Sequence, residues 1–195
     1  IEELAQEKGL TRISKLASNE NPLGPSPFAI REMTHALWDV HRYPDMFAKE
    51  LKQSLGELYQ LETENIILGN GSEGIMGYIV RAFLQPEDEV ITSVNTFIGF
   101  LILAKSVGAR LIQVPRCSNY KYDIKGIAKK ISPNTKIIYI ANPDNPTGTY
   151  ITKNEFDELM THVPEHTIVI LDGLISSSCK RMALRSSCSI RSASS

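Results

Sequence analysis

An apolar run, Lys136-Ile137-Ile138-Tyr139-Ile140, leads into Ala141-Asn142-Pro143-Asp144-Asn145-Pro146-Thr147-Gly148, and the next apolar run, Thr167 to Leu171, ends at Asp172. Each proline removes a backbone donor and pushes the residue before it into an extended conformation. The chain therefore cannot coil at once after the strand. Asn145 is held at the carboxyl end of a strand with its amide free to bond a group outside the sheet, and Asp172 sits at the end of the next. In an open α/β sheet, that edge is where ligands bind. A second stretch, Gly69-Asn70-Gly71-Ser72-Glu73-Gly74, opens a helix and has a different chemistry. The backbone amides of Gly71, Ser72 and Glu73, with the Ser72 hydroxyl, can approach an anion at the positive end of the helix dipole. The loop is read as neither a P-loop, since it lacks the Gly-Lys-Ser/Thr end, nor a dinucleotide fingerprint. Both stretches also have purely structural readings: a Pro-rich turn with Asp172 as a helix cap, and a helix start capped by Ser72.

Alternating strands and helices must position these groups. Ser18 to Pro27 is too rich in Asn and Pro for regular structure and reads as an extended arm. It leads into a helix from Phe28 to Val40, on the spacing of Ile30, Met33 and Leu37. A helix over Lys49 to Leu61 follows, then a short strand over Glu64 to Leu68 and a helix over Ile75 to Leu84. Strands are expected over Glu89 to Ser93, Arg110 to Val114, Lys136 to Ala141 and Thr167 to Leu171. Helices run between them, through Leu101 and Ala104, over Asp123 to Ile131, and over Asn154 to Thr161. Thr152 and Glu155 have the spacing of a capping box for the last of these. This alternation predicts βαβ units and an α/β fold with a mostly parallel sheet and flanking helices.

Asn-Pro-x-Asn-Pro-Thr-Gly followed by an apolar strand ending in Asp resembles the large domain of fold-type-I pyridoxal-phosphate aminotransferases. The arm Asn19-Glu20-Asn21-Pro22-Leu23-Gly24-Pro25 is similar to that of their histidinol-phosphate branch. The resemblance covers about Lys15 to Asp172, with the motifs in the family's order. It implies pyridoxal 5'-phosphate as cofactor, with Asn145 donating to its phenolic oxygen and Asp172 pairing with its pyridine nitrogen. Gly71, Ser72 and Glu73 would hold the phosphate, and Phe97 would lie on the ring face. Tyr43, in Arg42-Tyr43-Pro44, would reach the phosphate of a neighbouring subunit, which implies a homodimer with shared sites. Asn21 and Leu23 fall on the substrate side. A cis peptide is expected at Asn145-Pro146, as in the resembling enzymes. Read by themselves, the arm could be a linker, Tyr43 a packed turn residue and Phe97 a core aromatic.

The implied organisation is an N-terminal arm and helix (1–40), part of the cofactor-binding large domain (41–172) and an atypical tail (173–195). After Asp172 the family would continue Glu-Ala-Tyr, whereas this chain has Gly173-Leu174-Ile175 and then a Ser/Arg/Cys-rich stretch resembling a shifted reading frame or a replaced end. The Schiff-base lysine of the family follows several tens of residues later. Lys180 is too close and in no matching Ser-Lys motif, so no catalytic residue is assigned, and the chain as given is expected to be inactive. The reaction implied for the family converts histidinol phosphate and 2-oxoglutarate into imidazole-acetol phosphate and glutamate, in histidine biosynthesis. Alternatives are another class I/II aminotransferase, a phosphothreonine decarboxylase or a non-catalytic remnant. The tail is expected not to extend the sheet, and the faces of the Leu111, Ile138 and Val169 strands are expected to be left open.

Composition sets the outer limits. At 195 residues, 42% hydrophobic and 22% charged, the chain is ordinary for a globular protein of one to one and a half domains. No apolar run approaches the ~20 residues that span a bilayer, and Ile1 to Gly9 lacks a signal-peptide core, so a cytoplasmic location is expected. Cys117, Cys179 and Cys188 have neither disulfide-framework nor zinc spacing, and no metal site is expected. A net charge of -1 gives no reason to propose nucleic acid. It hides an asymmetry: the tail holds four basic residues and no acid, leaving 17 basic against 22 acidic groups in residues 1–172.

Overall fold

The computed structural model describes residues 2–16 and 18–173. The tail from residue 174, with Cys179, Lys180, Cys188 and the expectation that it adds nothing to the sheet, lies outside the described residues. The chain divides into two compact units, Ile1–Lys49 and Glu50–Ser195.

In the first unit, α1 spans Glu2–Lys8 and α2 spans Pro27–Ala36, with a 3-10 turn at Leu37–Asp39. Proline opens α2 without loss, because the first amides of a helix have no partner in it. The helical spacing of Ile30, Met33 and Leu37 is realised as a helix, yet none of the described residues of this unit is buried.

The second unit carries the sheet. Its elements are α3 (Lys49–Tyr59, starting at the boundary), α4 (Gly71–Phe83), β1 (Glu89–Ser93), α5 (Ile98–Ser106), β2 (Arg110–Val114), α6 (Ile124–Lys130), β3 (Thr135–Ala141), α7 (Lys153–Met160) and β4 (Ile168–Asp172). The strands pair in the order β2-β1-β3-β4, all parallel. This is the α/β fold expected, with β1 and β2 at the boundaries read from the sequence. The strand expected over Glu64 to Leu68 does not form. Thr63–Asn65 make a 3-10 turn, and although Ile66 is extended, the segment pairs with no strand among the described residues. Extended backbone becomes a strand only where a ladder satisfies it.

Alternation along β3 divides the core. Ile137, Tyr139 and Ala141 pack with Met76 and Val80 of α4 and Phe100 and Ala104 of α5. Ile138 and Ile140 pack with Ile124 and Ile127 of α6 and Leu159 of α7. A strand covered on both faces reads as a continuous apolar run rather than an alternating one. The expectation of open strand faces is therefore corrected: Ile138 and Val169 are buried beneath α6 and α7, and Leu111 is half-buried against the other cluster.

The chain leaves β1 through α5 to β2, then returns through α6 to β3 on the other side of β1, and α5 and α6 lie on opposite faces. The connections diverge at the carboxyl ends of β1 and β3. Such a point of divergence is the usual ligand position in a sheet of this type.

Candidate functional site

The loops that leave β1 and β3 are joined by a buried carboxylate. Asp144, between the two Asn-Pro steps, accepts from Thr96 Oγ1 (2.8 Å) and the Tyr122 hydroxyl (2.9 Å) through Oδ1. Through Oδ2 it accepts from Thr147 Oγ1 (2.8 Å) and pairs with Arg116 Nη2 (2.9 Å). The Arg116 and Asp144 side chains are only 7% and 0% exposed, so this pair is desolvated, unlike an ordinary surface bridge. Arg116 also donates to the carbonyls of Val94 (2.8 Å), Asn95 (3.2 Å) and Tyr120 (2.9 Å), and its guanidinium lies 4.9 Å from the centre of the Tyr122 ring. The Tyr122 hydroxyl in turn accepts from the Ala141 amide at 3.0 Å.

The electrostatics follow from this enclosure. Burial pushes the Asp144 carboxyl up, but hydrogen bonds from Thr96, Thr147, Tyr122 and Arg116 outweigh it and hold the carboxyl below the usual carboxylate range. Burial, with the charge of Asp144 added, pushes the Tyr122 phenol up to about 12.

This clamp fixes the turn that presents Asn145. The amide of Gly148 donates to the Asp144 carbonyl and the amide of Asp144 to the Thr149 carbonyl, each at 2.8 Å. Asn142 closes the outer end of the turn, accepting from the Ile151 amide at 3.0 Å. The Asn145-Pro146 bond is cis, as expected, and Asn142-Pro143 is cis as well. Asn145 is half-buried, and its side-chain amide bonds nothing among the described residues.

Asp172 ends β4 opposite Ala141, and its carbonyl accepts from the Asn142 amide. Its side chain is half-buried, and Oδ2 accepts from the Tyr139 hydroxyl at 2.7 Å. Oδ1 has no partner among the described residues. Burial, and secondarily the Asp172 charge, push the Tyr139 phenol far above its ordinary range, so it stays a neutral donor.

At the start of α4, Gly71 has φ +71°, a conformation glycine adopts without penalty, and the space a Cβ would occupy is open. Ser72 and Glu73 are exposed in the first turn, and Asn70 at the cap makes no side-chain cap bond. The first-turn amides thus remain available. Ser72 lies inside the helix and is not its cap. The glycines at 69, 71 and 74 do have the spacing of a dinucleotide fingerprint, contrary to the sequence reading; what excludes that motif is the missing strand before them.

Phe97 sits at the N-cap of α5, half-buried against the cluster of Phe100 and Tyr139. Its ring leans over Gly99, where a Cβ would come within 2.6 Å of a ring carbon. Tyr43, Asn21 and Leu23 belong to the first unit. There Tyr43 and Leu23 are exposed, and the Asn21 side chain closes its own turn, accepting from the Leu23 amide (3.0 Å) and donating to the Gly24 carbonyl (3.2 Å).

The second unit therefore carries the uncapped first turn of α4, the Asn145 amide and one Asp172 carboxylate oxygen without partners among the described residues, and the Phe97 ring at the N-cap of α5. Sequence reasoning missed Thr96, Arg116, Tyr122, Asp144 and Tyr139. Parity could have pointed to Tyr139, an even number of strand positions from Ala141, the register partner of Asp172. Nothing local marked Arg116 or Tyr122.

Comparison with known proteins places this geometry among relatives. The sequence model of one family, aminotransferase class I and II, matches residues 11–173. A histidinol-phosphate aminotransferase of Hydrogenovibrio crunogenus is 43% identical over 172 residues, covering 88% of this chain and 46% of that protein. One from Anaeromyxobacter is 38% identical over 172 residues, covering 88% of this chain and 47% of that protein. The chain thus spans about half the length of these curated relatives. The crystal structure of histidinol-phosphate aminotransferase from Sinorhizobium meliloti in complex with pyridoxal-5'-phosphate superposes with a TM-score of 0.80 at 29% identity, over 87% of this chain and 46% of that one. A Thermus thermophilus aspartate aminotransferase, at 22% identity and a TM-score of 0.74 over 87% of this chain and 47% of that one, shares the fold.

Proposed function

The chain belongs to the class I and II aminotransferase family, and from that premise we propose that it forms the cofactor-gripping part of a pyridoxal-phosphate-dependent transaminase acting on histidinol phosphate and 2-oxoglutarate. The observation that carries this reading is Asp172, whose carboxylate ends β4 with one oxygen held by Tyr139, while the other and the side-chain amide of Asn145, in the loop after the neighbouring strand, have no partner among the described residues. The donor set fits the group: an uncapped helix start for a phosphate, an amide for a phenolic oxygen and a carboxylate for a ring nitrogen.

When bound, pyridoxal phosphate supplies a protonated ring that accepts the electron pair left at the substrate carbon. Asp172 keeps the proton on the ring nitrogen, because an adjacent negative charge favours the charged form. Asn145 donates to the phenolic oxygen, and the amides of Gly71, Ser72 and Glu73 with the Ser72 hydroxyl take the phosphate. Phe97 covers the ring face, a contact worth about 0.5–1.5 kcal/mol beyond its area. Tyr43 reaches the phosphate of a second copy, making the active unit a homodimer, and Asn21 and Leu23 line the substrate side. The location is the cytoplasm. No residue of this chain is assigned as the Schiff-base lysine. The curated histidinol-phosphate relatives at 38–43% identity support this substrate over other transaminase substrates.

The test is titration of the chain with pyridoxal phosphate, followed by absorbance. Reversible binding is expected, and Asp172→Asn should weaken it about 10- to 100-fold, the effect of losing a charged hydrogen bond of roughly 1.5–3 kcal/mol. Absence of binding, or an Asp172→Asn variant that binds like the parent, would defeat the reading.

A further inference from the structure

We propose that Tyr139 is the positioning residue of Asp172, fixing one carboxylate oxygen so that the other faces the ligand. This rests on the reading of Asp172 as the partner of the cofactor ring nitrogen. Asp172 is the last residue of β4, and the Tyr139 hydroxyl is the single hydrogen-bond donor to its side chain among the described residues. Tyr139 is itself immobilised. It lies fully buried in the middle of β3, and its ring stacks on Phe100 with centroids 4.1 Å apart and planes 9° from parallel.

The strand register makes the reach possible. Tyr139 pairs with Ile170, two residues before Asp172, so Tyr139 and Asp172 share the face that packs under α4 and α5. Diagonal neighbours on one face stand close enough for a long aromatic side chain to bridge them. A phenylalanine would fill the same volume in an otherwise apolar cluster. The hydroxyl adds one polar group, and a buried hydroxyl is tolerated only where it has a partner. Here that partner is Asp172.

A phenol suits this task, since it donates one hydrogen bond and brings no charge that would compete with the ring nitrogen for the carboxylate. Burial, and secondarily Asp172, push the phenol far above its ordinary range, so it remains a protonated donor near neutral pH. Removing it leaves Asp172 free to rotate away, with its charge intact and its direction lost.

A double-mutant cycle tests the proposal in the full chain. Pyridoxal phosphate affinity and the absorption spectrum of the bound cofactor are measured from pH 6 to 9 for the parent, Tyr139→Phe, Asp172→Asn and the double variant. Tyr139→Phe should weaken binding about five- to tenfold and lower the pH at which the bound spectrum changes, while the double variant should bind no more weakly than Asp172→Asn alone. Equal losses in both backgrounds, or an unchanged affinity and spectrum in Tyr139→Phe, would assign Tyr139 to packing alone and overturn the proposal. If Asp172→Asn binds as the parent does, the reading of Asp172 fails first, and the role of Tyr139 with it. Should Tyr139→Phe not fold, ring-labelled tyrosine NMR decides: the Tyr139 resonance should shift on adding pyridoxal phosphate to the parent and stay in place in Asp172→Asn, and an unmoved resonance in the parent refutes the proposal.

Discussion

The phenol of Tyr122 links Thr96 to the segment that leaves β3: it donates to Asp144, meets Thr96 Oγ1 at 2.7 Å and accepts from the Ala141 amide. Tyr122→Phe would leave that buried amide without a partner, and an unsatisfied buried group costs about 1–3 kcal/mol. The pH dependence has a definite sign. The phenol's folded value is raised to about 12, so its contribution is complete below the ordinary tyrosine value near 10 and is lost as pH rises through about 12. Urea unfolding at pH 7 should show the lower stability of Tyr122→Phe. The gap between parent and variant should narrow between pH 10 and 12, and a gap constant across that interval would contradict the assignment.

At the scale of the element, Arg116, in the loop that leaves β2, ties together the loops that leave β1 and β3, pairing with Asp144 and donating to the carbonyls of Val94 and Asn95. Neither loop has regular structure, so the direction in which Asn145 and Phe97 are offered depends on these side chains rather than on backbone ladders. Arg116→Ala would strand a buried carboxylate and should destabilise the chain by about 3–5 kcal/mol in denaturant unfolding. The Asp144 carboxyl is depressed in the folded state, so its stabilisation is complete above the unfolded value near 3.9 and is lost as pH falls below it through the folded value. Thermal melts from pH 6 to 2.5 should therefore show an acid decline in the parent that is shallower in Asp144→Asn. A decline of the same steepness would place the acid sensitivity elsewhere.

At the scale of the whole molecule, both core clusters are built from residues between Met76 and Ile170, and the first unit buries none of its described residues. Cooperative unfolding should accordingly belong to the sheet and its helices. Deleting residues 1–48 is expected to move the melting temperature of the remainder by less than about 4 °C, the shift that roughly 1 kcal/mol produces in a domain of this size. A larger fall, read by circular dichroism, would mean that the sheet depends on the first unit.

What the sequence determined by itself is whatever short-range chemistry encodes. Short segments rich in strand-favouring residues, Val90-Ile91-Thr92 and Ile112 with Val114, set β1 and β2, and the Thr152/Glu155 capping box forms at the start of α7 with both of its reciprocal bonds. The two Asn-Pro steps and the glycine loop put Asn145 in the turn after β3 and Gly71 at the start of α4, because proline fixes its own backbone and glycine adopts a positive φ without penalty. Tertiary structure decided what depends on distant partners. Glu64 to Leu68 looked like a strand but found no ladder to join among the described residues. Asp144 looked like a turn residue between prolines, and it became a buried anion only because Arg116, Tyr122 and Thr96 converge on it from 22 to 48 residues away. Tyr139 read as one more apolar strand position until the parallel register of β3 and β4 carried its hydroxyl to Asp172, 33 residues on. A buried charge or hydroxyl is stable only with its partners in place, and packing alone chooses those partners.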